Sequence, residues 1–120
     1  PGASDFDVKS ILSGDQSTNW EVYFDNGAAS TDPNDYLVKY DGTSTFRFSV
    51  GKAFWVIHQG NVSINEVVDA ASLNSSGVVN IPLHQGWNLI TNPFAIPVNW
   101  AVIQGANQIG NPIYRYNWSG

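Results

Sequence analysis

The chain has 120 residues, 42% of them apolar and 13% aromatic, enough for one hydrophobic core and too many for a disordered segment. Charged residues make up only 12% and sum to −5, and the bases Lys9, Lys39, Arg47, Lys52 and Arg115 are scattered, which argues against a nucleic-acid partner. Cysteine is absent, so disulfides, thiolate metal sites and a Cys nucleophile are excluded, and no apolar run approaches the roughly 18 residues of a membrane span.

Starting at Pro1 with no methionine, the chain reads as a processed or excised segment. Apolar and polar residues alternate over short stretches bounded by Gly, Asn, Asp and Pro, the period of half-buried strands. The pattern predicts strands at residues 6–12, 20–24, 36–40, 45–50, 52–58, 61–65, 78–83, 87–91 and 112–118. Within 45–50, Phe46, Phe48 and Val50 share one face, as a sheet with one wet face requires. In 52–58 the residues Phe54, Trp55, Val56 and Ile57 are consecutive, which predicts a central strand buried on both faces. Trp55 and Trp87, among apolar neighbours, are expected in the core.

A short helix competes at 66–73, and 97–103 reads as a helical turn opening at Pro97. Turn signals fall at Asn26-Gly27, Asp41-Gly42, Gly60-Asn61 and Ser76-Gly77. This regular punctuation predicts an all-β fold, an antiparallel β-sandwich in a single module spanning 1–120.

Two internal echoes divide that module. His-Gln-Gly occurs at His58–Gly60 and His84–Gly86, and both copies read as equivalent hairpin turns. Asn19-Trp20 leads to YLVKYDG, and Asn99-Trp100 leads to IYRYNWSG. The expectation is two similar halves, at about 6–58 and 86–120, joined by strands within 61–83, with the second half incomplete at the C-terminus. Unpaired strand edges are templates for association, so the incomplete half points to completion by a neighbouring segment or subunit.

The strings GKAFWVI (51–57) and GWNLITNPFAIPVNW (86–100), with YLVKYDG and IYRYNWSG, resemble repeat modules of large secreted surface proteins of Bacteroidota-like bacteria. The shared pattern is a GWN strand, an NPF turn, Pro-Val-x-Trp, a tyrosine strand and a Gly-x-x-[Phe/Tyr]-Trp strand. Such modules are non-catalytic, and the resemblance implies an extracellular or cell-surface location and a role in display or attachment. The second Gly-x-x-[Phe/Tyr]-Trp is missing here.

No GxSxG, HExxH, phosphate loop or GxGxxG is present, so the sequence gives no reason to expect an enzyme or a cofactor. Asp32, Asn34 and Asp35 gather oxygen donors as a calcium loop does, but Asx-turn chemistry at Asp32-Pro33 accounts for the same residues. His58 and His84 lack a visible third metal ligand and read as structural. Asn-x-Ser sequons at Asn61, Asn74 and Asn117 are weak glycosylation candidates. The candidate contacts for a partner or carbohydrate are Trp118, Tyr116, Tyr114, Tyr36 and Tyr40, because flat exposed rings stack on sugars and anchor interfaces. Two functions are expected on these grounds: an assembly module joining neighbouring copies or domains through open β-edges, or a carbohydrate-binding module that takes a polysaccharide.

Overall fold

The computed structural model describes residues 6–64, 71–110 and 112–114. Its centre is an antiparallel sheet of three strands, β1 (Trp20–Asp25), β2 (Leu37–Lys39) and β3 (Trp55–His58), in the order β2-β1-β3. Two short helices accompany it, α1 (Pro33–Tyr36) and α2 (Trp100–Asn107). Among the described residues this three-stranded antiparallel sheet is the central element, and the helices are few and short.

The pleat of β1 divides its side chains between two faces. Trp20, Val22 and Phe24 point into the core, while Glu21, Tyr23 and Asp25 point outward. Trp20 and Val22 join Val8 and Phe46 as the buried apolar centre, with Tyr40, Phe48 and Phe54 packed around it. The ring of Phe46 lies 5.0 Å from Tyr40 and 5.9 Å from Phe54, and Tyr40 meets Trp20 edge-on at 5.3 Å. Lys52 extends over the Phe24 ring at 4.7 Å. Burial lowers its pKa, and the ring faces compensate part of the lost hydration.

The ladder fixes which backbone groups remain open. Gln59 N–H donates to the Asn19 carbonyl at 2.8 Å, which makes the odd residues of β1 the bonded partners of β3. Tyr40 N–H donates to Val22 O and Asn26 N–H to Tyr36 O, each at 2.9 Å, so the even residues of β1 bond β2. On β3, Trp55 and Ile57 therefore face β1, and the N–H and C=O of Val56 and His58 face away from it. No other strand among the described residues pairs with that outer edge.

Residues 81–90 pack over one end of the sheet. Gly51 is buried at φ +74°, and an added Cβ would meet Ile81 at 2.8 Å; Lys52 and Ile90 form an isolated antiparallel bridge. At Gly27, φ +75°, an added Cβ would meet the His84 ring at 2.6 Å. Gly51→Ala combines left-handed strain with a clash, so it is expected to lower stability by about 1–3 kcal/mol in a denaturant titration.

Several strand expectations need correction. Val8–Ile11 is a 3-10 helix capped by Asp7, whose carboxylate accepts from Lys9 N–H, so the alternation in 6–12 reflects one buried residue, Val8. Ser44–Phe46 is also a 3-10 helix, and 45–50 keeps only a single bridge, Arg47 to Asp7. β3 lies at an edge, not the centre, with Trp55, Val56 and Ile57 exposed. No strand forms at 61–64, 78–83 or 112–114, and within 87–91 only Ile90 forms a bridge. The rest of the strand expected at 112–118, and most of the helix expected at 66–73, lie outside the described residues.

The second helix starts at Trp100, not Pro97, because the Asn99 side chain accepts from Ala101 N–H and supplies the cap. The two Asn-Trp copies thus open different structures, a strand at Trp20 and a helix at Trp100. The His-Gln-Gly copies also differ. His58 ends β3 and contacts Gly60, whereas His84 lies in a loop closed by Asn88, 3.8 Å from the Asp25 carboxylate.

Candidate functional site

Outward-facing residues of the three strands form one surface. Cross-strand register sets Lys39, Tyr23 and Trp55 in a row, with Glu21 opposite Ile57 beside them. Two hollows of about 370 and 430 Å³ lie on this surface and share Tyr23 and Ile57. The first reaches Asn19, Lys39 and Gln59; the second reaches Asn34, Leu37 and Trp55.

Glu21 is 8% exposed although it points outward, because the loop before β1 closes over it. Its carboxylate accepts from Gln16 Nε2 at 2.8 Å and Ser17 Oγ at 3.1 Å, and it pairs with Lys39 Nζ at 2.7 Å. The loop holds its shape through Trp20, whose indole N–H donates to the Gly14 carbonyl at 3.0 Å, and through Asn19, which accepts from Asp15 N–H at 2.8 Å.

Burial alone pushes the Glu21 pKa up, but hydrogen bonds from Lys39, Gln16, Ser17 and the Val22 amide outweigh it and hold the pKa below 4.5. A depressed folded pKa means the stabilisation is complete above the ordinary value and disappears as pH falls through the folded one. The hydrogen bond to Glu21 raises the Lys39 pKa, so that partner's contribution persists to above 10.5. Stability is accordingly expected to decline below pH 4.5, and Glu21→Gln should flatten that acid limb in urea titrations across pH.

The aromatic candidates separate. Tyr40 is committed to the core, its hydroxyl donating to Asp7 at 2.9 Å. Burial, followed by that bond and the nearby carboxylates, raises its pKa. Tyr36 is half-buried at the end of α1. Tyr114 is 68% exposed and lies 5.4 Å from Trp87, which is itself 76% exposed. The C-terminal candidates Tyr116 and Trp118 lie outside the described residues, as does Asn117.

The core assignment of Trp55 and Trp87 is corrected by their exposure, 42% and 76%. Sequence reasoning missed Tyr23 and Trp55 as a facing pair, although the i, i+2 alternation of 20–24 already placed Tyr23 on the wet side.

Asp32 caps α1 by accepting from Asn34 N–H at 2.9 Å, and Asp35 accepts from Ser30 Oγ at 2.6 Å. Both carboxylates thus stabilise a turn. Among the described residues no group of three or more His, Cys, Asp or Glu is placed to hold a metal. Asn61 is exposed, and Asn74 closes a tight exposed turn by accepting from Ser76 and Val78 N–H, each at 2.9 Å. No helix among the described residues is long and apolar enough to cross a membrane. No family model matches the chain, and comparison with curated proteins and solved structures returned no significant match.

Proposed function

We propose that this chain is a non-catalytic extracellular or cell-surface module that associates with neighbouring copies or domains of the same protein through the outer edge of β3. The observation that carries the reading is that edge: Val56 and His58 present backbone groups away from β1, with Val56 and Ile57 41% and 62% exposed. An exposed apolar edge is a template for strand addition. The described residues from 71 onward add support, since none is buried, while Leu83, Ile96, Val102 and Ile113 are exposed. Such surface favours burial against a partner. In this reading the two-halved sandwich of the sequence pattern is completed by association.

The non-catalytic part of the reading rests on the lining of the two hollows, where Glu21 is the one carboxylate and is fully engaged by Gln16, Ser17 and Lys39. Glycoside hydrolysis needs a facing pair.

Val56→Pro tests the edge. Proline removes the outward N–H and is tolerated on an edge strand, leaving the bonds of Trp55 and Ile57 to β1 in place. Sedimentation equilibrium is expected to show concentration-dependent association of the wild-type chain and, in the variant, association weakened at least about tenfold with near-ultraviolet circular dichroism retained. A wild-type chain that stays monomeric at millimolar concentration, or a folded variant that associates equally well, contradicts the reading.

A second reading, carbohydrate binding, is favoured by the exposed aromatic rings of Trp55 beside Tyr23 and of Trp87 beside Tyr114. Rings of this kind provide apolar faces in a setting of amides and hydroxyls.

A further inference from the structure

We infer that the outward face of the β2-β1-β3 sheet is a binding trough for an uncharged polysaccharide. This rests on the carbohydrate-binding reading and gives it a place, distinct from the Trp87–Tyr114 pair. The two hollows share Tyr23 and Ile57, so they adjoin across these two side chains on one face of the sheet. Each is of the size that holds a small ligand, and side by side they suit successive rings of a sugar chain.

The floor has the chemistry for stacking. Tyr23 and Trp55 are directly opposed on adjacent strands, and Trp55 keeps 42% of its surface exposed. Opposed residues in an antiparallel pair have Cβ atoms about 5 Å apart, so their rings can serve neighbouring sugars without rearrangement of the sheet. At the ends stand amides: Asn34 in one hollow, Asn19 and Gln59 in the other. Amides offer both donors and acceptors to hydroxyl groups.

Charge decides the class of sugar. The two charged side chains of the trough, Glu21 and Lys39, neutralise each other at 2.7 Å, and the remaining bonds to the carboxylate come from Gln16 and Ser17. Among the residues lining the hollows, an anionic polysaccharide would find no surplus cation and a cationic ligand no surplus carboxylate. A neutral chain that stacks and hydrogen-bonds matches it. The trough borders the proposed association edge, since Val56 and His58 are among the residues lining its hollows.

The test is isothermal titration of the whole chain with soluble β-glucan, xylan, galactomannan and, as the anionic probe, alginate. At least one uncharged polymer is expected to bind. Trp55→Ala and Tyr23→Ala should each weaken that binding about tenfold or more, as loss of a central aromatic anchor does, while Trp87→Ala changes it less than about twofold. Near-ultraviolet circular dichroism of each variant establishes that the core is intact, and Trp55→Phe, which keeps a smaller ring, should recover part of the affinity. Binding that survives Trp55→Ala and Tyr23→Ala but is lost in Trp87→Ala overturns the trough while sparing the carbohydrate reading. Failure of the wild-type chain to bind any of the uncharged polymers overturns both. Tighter binding to alginate refutes the neutral-ligand assignment, and loss of self-association in Trp55→Ala without any glycan binding gives the face to a second copy of the chain.

Discussion

Phe46→Ala is expected to destabilise the fold by about 3–5 kcal/mol, a large part of the total stability of a domain this size. Phe46 is fully buried, and its ring touches three parts of the chain: Tyr40 at 5.0 Å, Phe54 at 5.9 Å, and the Val8 and Val22 centre of the core. It is held by a short 3-10 helix, Ser44–Phe46, rather than by a ladder, so the backbone there can shift only by breaking the packing that positions it. Truncation leaves a cavity amid aromatic neighbours that already contact one another and cannot close inward without losing those contacts. Urea unfolding followed by circular dichroism should show the midpoint falling with little change in slope.

The tryptophans are expected to divide sharply. Trp20 is 2% exposed, meets Tyr40 edge-on and donates to the Gly14 carbonyl, so Trp20→Ala should cost about 3–5 kcal/mol and leave that carbonyl without its partner. It should also loosen the loop over Glu21, because Gly14, Asn19 and the start of β1 are tied together there. Trp87→Ala, at 76% exposure, should change stability by no more than about 0.5 kcal/mol in the same titration.

The contrast between these residues shows what the sequence pattern carried. Strand β1 was legible because three alternate apolar residues, Trp20, Val22 and Phe24, belong to a strand with one wet face, and period two is unambiguous there. The turns at Asn26-Gly27, Asp41-Gly42 and Ser76-Gly77 were legible from their glycines, which all adopt positive φ. Residues 54–57 misled because a continuous apolar run reads as burial, whereas a strand at a sheet edge can carry the same run with its apolar side chains exposed. Periodicity reports which residues share a face and says nothing of what covers it.

The repeat was legible as an echo of letters but not as an echo of structure. Asn19 and Asn99 both hydrogen-bond a nearby backbone N–H, the local preference of asparagine, yet one precedes a strand and the other a helix. The residues after each tryptophan decide between them: Glu-Val-Tyr-Phe after Trp20 favours a strand, and Ala-Val-Ile-Gln-Gly-Ala after Trp100 lacks its alternation. The candidate face was half legible. Tyr23 and Lys39 could be placed on the wet side from alternation, but their meeting with Trp55 depends on the pairing of β1 with β3 across more than thirty residues, a register no local pattern specifies.

The open edge of β3 is the central claim, and residue-resolved hydrogen exchange at increasing protein concentration tests it most directly. At low concentration the amides of Trp55 and Ile57, bonded to β1, should be protected, and those of Val56 and His58 should exchange fast. As concentration rises, Val56 and His58 should gain protection while Trp55 and Ile57 change little. Equal, concentration-independent protection along all four residues of β3 would contradict an edge left open for a partner.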